Sequence, residues 1–108
     1  MKKIIYTIGI CCSLITAQAQ YTNVVMGTGS EVSIMLDPND PSRMVGGANI
    51  SAVFHSTDSG QTWIQNTLTS SMSVWGDPAI IVDPNGDFYY FHLVSTIDRV
   101  VCQKSTDG

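Results

Sequence analysis

The chain has 108 residues, 44% of them apolar, with five lysines and arginines against nine aspartates and glutamates, for a formal net charge of −4. Without Lys2 and Lys3 the balance falls to 3 − 9 = −6. A surface this acidic repels phosphate backbones, which excludes nucleic acid as a natural partner.

In chain order, Lys2 and Lys3 precede an apolar run over residues 4–15, and Ala17-Gln18-Ala19 then supplies the small-residue pattern of a cleavage site. The order of charge, apolar run and small residues is that of an export signal over residues 1–19, with Gln20 as the new terminus. The run falls well short of the roughly 20 residues a helix needs to cross a bilayer, so no membrane span is expected once the signal is removed. Cys11 and Cys12 lie within this leader and follow Ile10 and Cys11, not the small residue that precedes a lipid-bearing cysteine. Beyond it only Cys102 remains, so no internal disulfide forms there. An exported chain without disulfides fits a bacterial periplasm, cell surface or exterior better than a cysteine-rich secreted module. The sequon Asn49-Ile50-Ser51 matters only in a glycosylating host.

Residues 20–30 read as a linker, and a repeat follows. Leu36-Asp37-Pro38-Asn39-Asp40 recurs as Val82-Asp83-Pro84-Asn85-Gly86, displaced by 46, and His55-Ser56-Thr57-Asp58-Ser59 recurs as Lys104-Ser105-Thr106-Asp107-Gly108, displaced by 49. Two landmarks returning in one order at nearly one spacing mark two copies of a single unit. In the first copy strands are predicted over 32–36, 44–48, 52–56 and 63–68; in the second over 79–82, 88–94 and 99–104. Helical periodicity is absent after residue 20. The second copy's Phe88-Tyr89-Tyr90-Phe91-His92-Leu93 is apolar on both faces and needs cover on both. Four strands in a period near 45 residues are the pattern of a propeller blade, which buries its faces against its neighbours. The expected fold is therefore all-β: antiparallel four-stranded blades of a β-propeller, incomplete, with about two blades over residues 31–108. Because the second copy stops within its turn at Gly108, the reading frame is expected to continue, with Gly at position 109 and Trp a few residues on.

Ser56-Thr57-Asp58-Ser59-Gly60-Gln61-Thr62-Trp63 carries the pattern Ser-x-Asp-x-Gly-x-Thr-Trp. In a tight turn between strands, the Asp58 carboxylate and Ser56 hydroxyl accept backbone N–H groups that would otherwise lack partners. Gly60 supplies a positive φ, and Trp63 anchors the next strand. A carboxylate held by such donors keeps its charge and has a lowered pKa, which suits a turn brace and not a proton donor. The pattern is the Asp box, and the chain resembles the Asp-box (bacterial neuraminidase repeat) propellers, of which sialidases are members. The match is full at 56–63 and partial at Ser105 and Asp107, and with the spacing it covers most of residues 31–108.

The resemblance implies a glycan partner, exo-sialidase-like glycoside hydrolysis and Asp boxes lying away from the active centre. Turns joining first to second and third to fourth strands emerge at one end of a blade, so the Asp boxes share an end with 37–41 and 83–87. At the other end stand residues 50–51, 69–77 and 95–99. A substrate would sit there, with Trp75 stacking on a sugar, Asp98 beside it, Arg99 pairing with an acidic sugar's carboxylate and Asp77 serving as acid or base. The alternative for these residues is structural: Trp75 packs between blades, Asp77-Pro78 opens a strand and Asp98-Arg99 is a solvated pair. The family's Phe-Arg-Ile-Pro segment is missing, since Arg43 stands in Pro41-Ser42-Arg43-Met44. That departure favours the second reading of the whole protein, a non-catalytic scaffold or adhesion module. The fragment by itself is expected to be inactive.

No cofactor is implied. Asp83-Pro84-Asn85-Gly86-Asp87 begins as a calcium loop begins, but no downstream Glu completes it and the same letters describe a turn. His55 and His92 have no second ligand at metal spacing and read as strand packing. Cys102 reads as a small buried residue in an apolar strand.

Overall fold

The computed structural model describes residues 21–95 and 98–108. The export signal expected over residues 1–19 lies outside them. Among the described residues the fold is all-β, with seven strands and no helix. The first sheet has strand order β1 (Ser30–Leu36), β2 (Met44–Asn49), β3 (Ala52–Ser56), β4 (Ile64–Thr67); the second has order β5 (Gly76–Val82), β6 (Phe88–Leu93), β7 (Val100–Ser105). Every neighbouring pair is antiparallel. The two sheets do not close into a ring.

The sheets are copies down to their irregularities. Leu36 pairs with Met44 and Val82 with Phe88 at the ends of the first hairpins. The register then slips between Ser30 and Ser33 in β1 and between Gly76 and Ala79 in β5. Each slip puts an acidic residue in the left-handed region, Glu31 at φ 53° and Asp77 at φ 51°. Their separation, 46 residues, is the displacement of the repeat. Strand β5 thus starts three residues earlier than the apolar run over 79–82 suggests. Pro78 has no N–H to give the ladder and sits within the slip, where a strand tolerates it.

Strand β2 is flanked on both edges and buried over Val45–Ala48. Its two glycines permit close approach on both faces. A Cβ on Gly47 would lie 2.6 Å from the Tyr90 ring of the second sheet, and one on Gly46 would lie 2.6 Å from Met26. The segment before β1, expected as a linker, has no regular structure over residues 21–29 and lays Met26 beside Gly46 and Gly27 beside the Phe54 ring. Between the sheets Val45, Ile80, Phe88 and Tyr90 form the core, with Met35, Val53, Leu68 and Val82 against it. Strand β6, expected to need cover on both faces, is fully covered on one: Phe88, Tyr90 and His92 are buried, while the alternate residues Tyr89, Phe91 and Leu93 are only partly covered.

Polar bonds fix the register between sheets. The Ile80 amide donates to Ser33 Oγ at 2.9 Å, Asn39 Nδ2 to the Pro84 carbonyl at 2.8 Å, and the Tyr90 hydroxyl to the Ala52 carbonyl at 3.3 Å. Burial of the Tyr90 hydroxyl pushes its pKa up. His92 is buried, with Nδ1 2.9 Å from the Leu93 carbonyl and Nε2 3.0 Å from Gln103 Nε2. Because the Leu93 carbonyl can only accept, Nδ1 carries the proton, and Nε2 accepts from the Gln103 NH2 group. Cys102 departs from expectation: it is exposed, because it sits on the edge strand of the second sheet on a face that nothing covers.

Candidate functional site

The turns leave the sheets at two ends of opposite character. At the first end, the β3–β4 turn is built around Asp58. Thr62 donates its amide to Asp58 Oδ1 at 2.9 Å and its hydroxyl to Oδ2 at 2.6 Å, while the Ser56 hydroxyl donates to Oδ1 at 2.8 Å. Ser56 Oγ in turn accepts the Gly60 amide at 2.9 Å. Trp63 Nε1 donates to the Gly60 carbonyl at 3.0 Å, and Gly60 has φ 80°. The Thr62 hydroxyl, followed by the Thr62 amide and Ser56, draws the Asp58 pKa down to about 2. The hydroxyls outweigh the backbone donors on which the sequence argument relied. The second corner repeats the start of this set: Ser105 Oγ donates to Asp107 Oδ1 at 2.9 Å and accepts the Gly108 amide at 2.9 Å.

The β1–β2 and β5–β6 turns crowd the same end. Asp37 is buried, accepts the Asn39 amide at 2.8 Å and pairs with Arg43 at 2.8 Å. Arg43 also reaches the Thr106 carbonyl at 3.3 Å and lies 5.8 Å over the Phe88 ring. Asp40 is held below its ordinary pKa by the Ser42 hydroxyl and amide. At Asp83 burial pushes upward, but the amides of Asp87 and Asn85, the Tyr89 hydroxyl and the charge of Lys104 together pull the pKa down. Asp87 is bonded to Lys104 at 2.6 Å, and this bond raises the Lys104 pKa. Of the side chains that could have opened a calcium loop, Asp83 is engaged by the turn and Asp87 by an ion pair. Among the described residues no three His, Cys, Asp or Glu side chains gather as a metal site.

The second end holds the candidates for substrate contact. The Trp75 amide donates to the Leu93 carbonyl at 2.8 Å, and the Val94 amide to the Arg99 carbonyl at 3.1 Å. These bonds bring Trp75 and the Asp98-Arg99 loop to the same end of the second sheet. Trp75 is 49% exposed. Arg99 is bonded to Asp98 at 2.9 Å, and both side chains are about half exposed. The Asp77 amide donates to Asn49 Oδ1 at 2.6 Å, and Asn49 Nδ2 donates to the Glu31 carboxylate. Asn49 therefore joins the two left-handed acidic residues across the sheets. A glycan on the sequon at Asn49 would disrupt its bond to Glu31.

Reasoning from the sequence missed Glu31 and Asn49. For Glu31 a signal existed, its displacement of 46 from Asp77; Asn49 offered none, because its role depends on the meeting of two sheets. Chemically this end presents an aromatic face, two carboxylates on strained backbone and a guanidinium already paired with its neighbour. Strand packing places His55 and His92 on separate strands, His92 buried and His55 on the wall of the inter-sheet groove. No helix among the described residues is long and apolar enough to cross a membrane. In comparisons with known proteins, no family model, no curated protein and no solved structure matches the chain.

Proposed function

We propose that this chain belongs to an exported, sialidase-like Asp-box propeller protein whose Asp77 end meets glycans. One observation carries the reading: two consecutive sheets share register slip, acidic left-handed residue and hydroxyl-braced corner in the same order, the slips 46 residues apart and the corners 49. The corners spend their carboxylates on folding and leave the opposite end for ligand. There Trp75 offers a face for a sugar ring, while Asp77, held at its amide by Asn49, and Glu31, held at its carboxylate by the same side chain, supply carboxylates.

A second reading, a non-catalytic scaffold or adhesion module, is favoured by the Asp98–Arg99 pair and by the missing Phe-Arg-Ile-Pro segment. An arginine neutralised by its neighbour is a poorer clamp for an acidic sugar than a free one. The test is a fluorogenic sialoside assay on the full gene product together with a glycan-binding panel. Hydrolysis that falls on Asp77→Asn supports the enzyme. Binding without hydrolysis, weakened by Trp75→Ala, supports the scaffold. A continuation that lacks further Asp boxes, with neither hydrolysis nor binding, overturns both.

A further inference from the structure

Every lysine and arginine among the described residues is paired with an aspartate: Arg43 with Asp37, Lys104 with Asp87 and Arg99 with Asp98. The first two pairs brace the corner end. Arg99 stands at the Asp77 end, where its Nη2 lies 2.9 Å from the Asp98 carboxylate. Glu31 and Asp77 are exposed at the same end, and neither pairs with a cation among the described residues. One guanidinium against three carboxylates gives this end a formal charge of 1 − 3 = −2. The half-exposed Trp75 presents its ring within that field.

Charges placed this way select between ligands more than they add affinity. An acidic sugar laid on Trp75 needs a cation for its carboxylate, and the one at this end is held by Asp98. Taking Arg99 over would leave Asp98 unpaired beside a second carboxylate, with Glu31 and Asp77 adding to the repulsion. A neutral sugar meets no such obstacle. Its hydroxyls donate, ionised carboxylates accept, and its apolar face can lie on the indole.

We infer that Asp98 is a specificity-determining residue: by occupying Arg99 it turns the Asp77 end toward uncharged glycans and away from acidic ones. This rests on the reading of that end as a glycan site and narrows it, whether the protein cleaves its glycan or only holds it. It departs from what the sialidase resemblance implies, an arginine that pairs with an acidic sugar. Because Glu31, Asp77, Asp98 and Arg99 are all exposed, salt screens the discrimination, which shrinks as ionic strength rises.

The experiment takes the full gene product at low salt and measures its affinity for a galactose-terminated oligosaccharide and for the same oligosaccharide capped with sialic acid. A preference of at least about tenfold for the neutral form is expected. Asp98→Asn frees Arg99 and should cut that preference by about fivefold or more. Adding Arg99→Gln to Asp98→Asn restores the formal charge of this end to −2 and should restore the preference, which separates release of the arginine from damage to the loop. Four results would overturn the inference while leaving the glycan reading in place: equal or tighter binding of the sialylated form, hydrolysis of a sialoside, an unchanged preference in Asp98→Asn, or no recovery in the double variant. Binding of neither oligosaccharide would overturn the glycan reading itself, and the inference would fall with it.

Discussion

The two ends of these sheets use the same residue types for different purposes. At the corner end, Asp37, Asp58, Asp83 and Asp87 each accept two or more bonds or pair with a cation, and two of these carboxylates have pKa values driven down by their donors. At the other end Asp77 contributes its amide, Glu31 receives one side-chain donor, and Asp98 has only its neighbour Arg99. Carboxylates that are saturated with donors hold chain together. Those left with free oxygens are the ones a ligand can still engage, which is why the substrate proposal rests on the second end.

The contrast can be broken by substitution. The largest effect is expected beneath the corner end: Phe88→Ala empties the core under Arg43 and should cost about 3–5 kcal/mol in denaturant unfolding. Arg43→Gln comes next. It leaves the buried Asp37 charge with only its backbone donor, and a loss of about 2–3 kcal/mol is expected by the same measurement. If this loss were negligible, the corner end would not be the stabilising one.

A pH titration sharpens the comparison. Asp58 has a folded pKa near 2, below its ordinary 3.8, so its stabilising contribution is complete above 3.8 and disappears as pH falls toward 2. The Asp58→Asn protein should be less stable at neutral pH and should lose less on acidification through that window, as followed by tryptophan fluorescence. The smallest effect is expected from Asp98→Asn, which removes a solvated pair and should change stability by less than about 1 kcal/mol. If Asp98→Asn proved as costly as Arg43→Gln, the assignment of one end to folding and the other to ligand would fail.

Much of the first end was legible in the sequence. Ser56, Asp58, Gly60, Thr62 and Trp63 act within eight residues of one another, and the bonds between them follow from side-chain reach and turn geometry. The second end was legible only in outline. Trp75, Asp77, Asp98 and Arg99 could be assigned to one side by counting turns, but their partners could not. Cys102 marks the limit clearly. Its apolar neighbours suggested burial, and the edge position of β7 exposes it.

The sequence by itself determined the strands, the turns, the two-copy period and the braced corners, because each arises from interactions among residues close in the chain. Tertiary structure alone decided that Gly47 seats the Tyr90 ring, that Asn49 links Glu31 to the Asp77 backbone, and that Arg43 reaches Thr106. Those contacts join residues from 18 to 63 positions apart. Their partners are fixed by how closely two sheets can pack, and the periodicity of a single strand carries no information about that distance.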